Sequence, residues 1–392
     1  LTSFDVIVVG GGIHGVGAAQ AVAAAGHSVL LLEQRALASG SSSRSSKLIH
    51  GGLRYLESGQ IHLVRESLHE RTTLLRIAPE LVRLRRFVIP IYRQTRRRPW
   101  QLMLGLSMYA LLAGCATGAG FGLLPRSQWH RLTGLKTDGL QHVFWYQDGQ
   151  TDDALLTAAV MRSAQAIGAR IAIPANFIGA TLNKGEVVVR YTAGDANQQL
   201  ECCARVLINA AGPWAANVAR LISPAIAIPQ LELVQGTHML LDLPAQDHIY
   251  YVESPRDGRA VFVMPWRERT LVGTTEVRFR GEPRDVAPTP HELHYLRSLM
   301  RRYFSADISQ AALLNAFAGL RVLPAGAGHA FHRSRETLLQ ADREQRPRVL
   351  SVYGGKLTTW RAVSARVLER VADSLPTRDA VARTDQLLLH PA

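Results

Sequence analysis

The run FDVIVV, Phe4 to Val9, is almost unbroken apolar sequence and stops at three glycines. An alanine-rich stretch follows from Ile13 to Ala25, Gly26 ends it, and a second apolar run fills Ser28 to Leu32. Short apolar runs bounded by turn residues fit buried strands, and the longer stretch between them fits a helix. The pattern predicts a βαβ unit: strand Asp5–Val9, helix Ile13–Ala25, strand Ser28–Leu32.

Further along, Val64, Leu68 and Leu75 share one helical face between Ile61 and Ile77, with Pro79 just beyond. A capped helix is predicted from Asp152 and leads into a strand, and GEVVVRYT and ARVLINAAG read as two more strands. Between about Ile226 and Leu314 the period changes. THMLLDL, IYYVES, AVFVMPW and TLVGTTEV alternate between turn residues and predict an antiparallel sheet. NAFAGLRVLPA precedes a loop, and VLSVYGGKLTTWRAVSARVLERVADSL reads as strand, glycine turn and long final helix.

The chain has 392 residues, and single cores stop growing near roughly 250–300 residues, so two lobes are expected. With 47% hydrophobic and 19% charged residues it has the composition of a globular enzyme. Its three cysteines, Cys115, Cys202 and Cys203, form no CxxC pair and suit neither zinc nor an iron–sulfur cluster. No metal is expected, and a reducing, cytoplasmic compartment fits, since glycines follow the first apolar run at once.

The net charge of +14 is largely local: Leu81 to Thr137 holds no Asp or Glu and ten basic residues. Inside that segment Leu102 to Leu124 carries no charge, but Gly114, Gly118, Gly120 and Gly122 confine the helix to Leu102–Ala113. Flanked by Arg96 to Arg98 and Trp100, such a helix suits the interfacial plane of an anionic membrane. A buried helix beneath an arginine-rich face is the alternative, ahead of a true span. Nucleic acid fits worse, because an apolar helix adds nothing to phosphate contacts.

Gly10, Gly12 and Gly15 form GxGxxG between strand and helix, and Glu33 ends the second strand 21 residues after Gly12. The glycines permit the turn, the approach of backbone to a pyrophosphate, and the packing of helix on strand; the acid can accept ribose hydroxyls. FAD and NAD both use this fingerprint. Directly after it the serine-rich run Ser39 to Ser46 interrupts the βαβ repeat, offering hydroxyl and amide donors to an extended cofactor.

GGGIHGVGAA, SSSRSSKLIHGGLRYLE, INAAGPWA, GTTEV, AGLRVL and VYGGKLTTWR, in this order, resemble the FAD-dependent glycerol-3-phosphate dehydrogenases, within the wider D-amino-acid-oxidase-like and glutathione-reductase-like flavoproteins. The resemblance runs from about residue 4 to about residue 375. It implies an α/β chain: a Rossmann-like domain binding FAD non-covalently, assembled from discontinuous segments, and a second α+β substrate domain on an antiparallel sheet. On this reading residues 1–80, 145–225 and 315–392 bind FAD, and 81–144 and 226–314 form the substrate domain.

Family members oxidise sn-glycerol 3-phosphate to dihydroxyacetone phosphate and pass electrons from the flavin to quinone or, in the oxidase branch, to oxygen. By motif, Gly10, Gly12, Gly15 and Glu33 would hold the adenosine half of FAD, with Ser42, Ser46 and Lys47 along the cofactor. Asn209 to Gly212, including Ala210, would pass the adenosine side. Gly354, Gly355, Lys356, Leu357 and Thr358 would pass the flavin ring, which His50, Gly51 and Gly52 also approach.

For the substrate the resemblance implies Arg54, Tyr55, Arg321 and Lys356, with Arg335 as a second phosphate-facing arginine and Arg333 two residues from it. Guanidinium donors suit a phosphate monoester, and a histidine suits the hydroxyl proton; His238 is the candidate base, with His50 behind it. The chain departs from the family pattern at Val322, where a proline is common, and at Arg44, where a small residue is usual. Bacterial members also continue as a helical C-terminal domain beyond the position of Ala392. Two rivals remain at this level: a flavoenzyme for an unphosphorylated 2-hydroxy acid or amine, since a carboxylate also binds paired arginines, and a basic binding module that merely retains a nucleotide fold. A dimer is left open.

Overall fold

The computed structural model describes residues 2–114, 118–194, 198–325 and 336–391. The first sheet is built around five parallel strands in the order Arg170–Ala172, Val29–Leu32, Thr2–Val9, Gln198–Asn209, Val349–Tyr353. The hairpin Ala175–Leu182 with Val187–Ala193 extends it antiparallel to Gln198–Asn209. Val6 to Val9 is buried throughout, as expected of parallel strands covered on both faces. The helix Ile13–Ala24 is buried on nearly all sides. It lies between Asp153–Ala166 and Trp360–Val371, and a Cβ on Gly17 would come within 2.5 Å of Ser364 Oγ. Only glycine lets these two helices approach so closely.

The second sheet runs Val277–Phe279, Leu231–Pro244, Arg269–Gly273, Ala260–Trp266, Ile249–Glu253, Val82–Tyr92, Leu140–Thr151, Leu48–Ile49. Leu313–Pro324 pairs with Leu231–Pro244 from Leu231 to Leu241. Segments 48–49, 145–151 and 315–324, expected in the cofactor lobe, pair into this sheet. The cause is long-range pairing, of Leu140–Thr151 with Val82–Tyr92 and of Leu313–Pro324 with Leu231–Pro244; a Cβ on Gly319 would lie 2.7 Å from the Arg44 carbonyl oxygen, so the latter strand also backs the serine-rich strip. TLVGTTEV is two strands rather than one, with Thr274, Thr275 and Glu276 between them. The alternating region also contains a helix, Pro290–Tyr303, opened by a reciprocal Thr289–Glu292 capping box.

Helix Ile61–Ile77 forms at both expected ends. Asp152 caps Asp153–Ala166 by accepting from the amides of Ala154 and Leu155. The arginine-flanked helix spans Pro99–Leu112 and is neither wholly buried nor wholly exposed. Leu102, Leu106 and Tyr109 face the core, whereas Trp100, Leu104 and Leu111 are 66, 58 and 76% exposed. Arg97 is ion-paired with Glu57 and Glu253, so only part of the basic run stands free of the fold.

Candidate active site

Both sheets line one cavity of about 450 Å³. Gly10 to His14 and Gly354 to Thr358 line it, Gly355 lying against His14; Ser42, Ser46, His50, Tyr55, His238 and Arg321 also line it. Gly10 has φ +112°, and a Cβ there would sit 2.6 Å from the Ala210 carbonyl oxygen. A Cβ on Gly15 would sit 1.8 Å from the Gly10 carbonyl oxygen. These two positions require glycine for the strand–turn–helix to form.

Glu33 directly follows the strand Val29–Leu32, with one carboxylate oxygen accepting from the Gly11 amide at 2.7 Å and the other from the Arg35 amide at 2.9 Å. Each oxygen keeps a further lone pair for a ligand. The helix N-terminus beside it is capped by Gly12 without a side-chain bond, which suits a pyrophosphate. The fingerprint glycines, the pinned acid and a cavity of about 450 Å³ that they line together with Gly354–Thr358 thus fit a dinucleotide.

Most serines of the strip tie it to its surroundings. Ser41 donates to the Leu320 carbonyl at 2.6 Å, Ser42 accepts from the Ile13 amide at 2.9 Å, and Ser45 donates to Asp153 at 2.7 Å. Lys47 departs from the expectation of a cofactor contact. Its ammonium lies 2.6 Å from buried Asp153 and 2.5 Å from the Ser43 carbonyl, and Lys47 is absent from the cavity lining. A charge only 4% exposed needs such a partner, and Asp153 supplies it.

The His50 backbone exchanges hydrogen bonds with Thr358 Oγ1 at 3.1 and 3.3 Å. Gly52, at φ +80°, opens the short turn Leu53–Leu56. Gly51 and Gly52 are buried behind the lining rather than in it. Tyr55 faces the cavity, with Lys356 Nζ 3.9 Å from its ring centre. Arg54 is not part of the lining and lies 5.7 Å from the same ring.

Arg321 Nη1 stands 3.3 Å from Glu276 Oε2, and the same carboxylate oxygen binds Arg259. Glu276 and Arg259 escaped the reading of the sequence, although GTTEV held the acid in view. His238 is 1% exposed, is stacked on Phe317 at 5.0 Å and is 3.0 Å from Ser46 Oγ through Nε2. Burial, then the charges of Arg321 and Lys47, push its pKa down to about 3. Burial and Arg366 likewise push His14 down to about 4. Arg333 and Arg335 lie outside the described residues.

A dinucleotide cradle joined to a buried, cation-lined chamber defines a two-lobed nucleotide-dependent oxidoreductase. The chain belongs to the FAD dependent oxidoreductase (DAO) family, whose model matches residues 5–361. It is 37% identical over 378 residues to a glycerol-3-phosphate dehydrogenase of Pseudomonas aeruginosa, covering 94% of this chain and 71% of that one. It is 34% identical over 374 residues to a D-erythritol 1-phosphate dehydrogenase of Brucella abortus, covering 95 and 74%. The solved glycerol-3-phosphate dehydrogenase of Bacillus halodurans, complexed with FAD, superposes with a TM-score of 0.76 at 24% identity, covering 99% of this chain and 68% of that one. The chain is an FAD-dependent oxidoreductase with the fold of these flavoproteins.

Proposed function

We propose that this enzyme oxidises sn-glycerol 3-phosphate to dihydroxyacetone phosphate. The observation that carries the reading is the grouping of Arg321, Lys356, Tyr55 and His238 on one cavity with the Gly354–Thr358 turn. Relatives at 37 and 34% identity are named for phosphorylated alcohols. Gly10, Gly12, Glu33, Ser42, Ala210, Gly212 and the Gly354–Thr358 turn would hold FAD, with Gly15 closing the helix onto the strand. Bound there, FAD supplies the acceptor for the hydride and electron pair that leave the substrate carbon.

Arg321 offers a fork of donors to the phosphate, and Lys356 a compact positive charge. Arg54 acts through its contact with the Tyr55 ring, and Arg335 remains the second arginine proposed for the phosphate. Glu276 orients the Arg321 guanidinium from its far side. The hydroxyl proton passes to a histidine. His238 holds a free-base imidazole at physiological pH, because its pKa is about 3; a phosphate dianion beside Arg321 offsets that cation's effect and raises its basicity. His50, also on the lining, is the second candidate. Anaerobic flavin bleaching by a panel of phosphorylated and unphosphorylated alcohols tests the reading. A longer polyol phosphate is a second substrate, favoured by the 34% identity to the erythritol phosphate enzyme.

The acceptor we propose is a membrane quinone, reached at the cytoplasmic surface. Among the described residues no helix is long and apolar enough to cross a membrane. The exposed face of Pro99–Leu112, bearing Trp100, Leu104 and Leu111 beside Arg98, suits shallow insertion into an anionic interface.

A further inference from the structure

Behind the strip that carries His50 and Tyr55 lies a buried polar chain with no evident part in binding FAD. The Gly51 amide donates to the Tyr109 hydroxyl at 2.8 Å. That hydroxyl donates in turn to Asp148 Oδ2 at 2.6 Å. Asp148 Oδ1 accepts from Arg71 Nη1 at 2.6 Å, and the same nitrogen donates to the Gln147 carbonyl at 3.0 Å. Tyr109, Asp148 and Arg71 are 3, 1 and 0% exposed. They come from the helix Pro99–Leu112, the strand Leu140–Thr151 and the helix Ile61–Ile77.

The strip is gripped at consecutive residues from opposite sides. Thr358, on the turn that lines the cavity, binds His50 through both its amide and its carbonyl. Tyr109 binds the next amide from the far side. There is no slack between them: a Cβ on Gly51 would lie 2.6 Å from the Tyr109 oxygen and 2.7 Å from Leu68. A buried amide deprived of its acceptor seeks another one, and the strip would shift to find it. Burial and the Asp148 carboxylate hold the phenol well above its ordinary pKa, so it stays a neutral donor and acceptor at any working pH.

We propose that Tyr109 is a positioning residue for the reaction: fixed by Asp148 and Arg71, its hydroxyl sets the His50–Tyr55 strip at the height the cavity requires. The proposal rests on the reading of that strip as part of the substrate site. It also ties the strip to the helix whose outer face is apolar and exposed, so displacement of that helix reaches His50 through one hydrogen bond.

The test is Tyr109→Phe, purified as the FAD-loaded full chain. The flavin content should match the unaltered enzyme. The rate constant for flavin reduction, at saturating concentration of whichever alcohol bleaches the unaltered flavin fastest, should fall about tenfold or more. The visible flavin bands should also shift, a readout that needs no substrate and so survives if the substrate assignment is wrong. Leu106→Ala, which removes packing from the same helix face without touching a polar contact, should lower the melting temperature and leave the rate within twofold. An unchanged rate and spectrum in Tyr109→Phe overturns the proposal, as does an equal rate loss in Leu106→Ala. If Tyr109→Phe does not fold, hydrogen exchange in the unaltered holoenzyme decides: slow exchange at the Gly51 amide supports the proposal, and exchange as fast as in a surface loop contradicts it.

Discussion

Ser46 Oγ lies 3.0 Å from Nε2 of His238, and the imidazole is sealed from solvent against Phe317. Its pKa of about 3 stands below the ordinary histidine value of 6.5. Between those values the unfolded chain binds more protons than the folded one. Stability is therefore complete above pH 6.5 and is lost as pH falls, by about 2 kcal/mol at pH 5 from this group. Thermal melting should fall between pH 7 and pH 5, and His238→Gln should flatten that slope. A slope unaltered by the substitution would assign the acid sensitivity to other groups.

Lys47 and Asp153 make a pair with side chains 5 and 0% exposed. Burial raises the Asp153 pKa, and Lys47 opposes the rise. Lys47→Met removes the compensation and should destabilise the protein by about 3–5 kcal/mol, visible as a lower denaturant midpoint with or without FAD. If Lys47 instead touches the cofactor, the apoprotein should melt normally while FAD affinity alone suffers.

Arg321 is held by Glu276 at 3.3 Å on the cavity wall. Arg321→Met should raise KM for the phosphorylated substrate by roughly 30-fold or more, the effect of losing about 2 kcal/mol or more of a buried charged contact. FAD content should not change. A KM within threefold of the unaltered enzyme would remove Arg321 from the phosphate site.

Leu104 and Leu111 project from the Pro99–Leu112 helix at 58 and 76% exposure. Leu104→Glu with Leu111→Glu should abolish co-sedimentation with vesicles containing anionic lipid, leaving flavin reduction by substrate unchanged. If the unaltered protein itself stays in the supernatant at low salt, the interfacial role of this helix is wrong.

Where local chemistry sets an element, the sequence is sufficient. The strand–glycine–helix start is written in Val6 to Gly15, and Ile61–Ile77 forms at both expected ends because its spacing and the downstream Pro79 agree. Helix Pro290–Tyr303 carries an equally local signal in its Thr289–Glu292 cap, which an expectation of alternating strands over Ile226–Leu314 leaves unused. Long-range pairing is another matter. Leu313–Pro324 joins the second sheet because it matches Leu231–Pro244, which no local pattern states. Lys47 follows the same rule: its partner Asp153 is 106 residues away, and only the fold shows that the ammonium points at it. The candidate site was legible as residue types; the Glu276–Arg259 support and the Tyr109 contact are products of packing.

Anaerobic stopped-flow mixing of the FAD-loaded enzyme with sn-glycerol 3-phosphate tests the central claim most directly. Bleaching of the flavin bands, with one dihydroxyacetone phosphate formed per flavin reduced and no bleaching by glycerol, lactate or glycine, is the predicted result. Faster bleaching by D-erythritol 1-phosphate would move the assignment to the longer polyol phosphate. A flavin that stays oxidised with every phosphorylated alcohol but bleaches with a hydroxy acid or an amine would contradict the account.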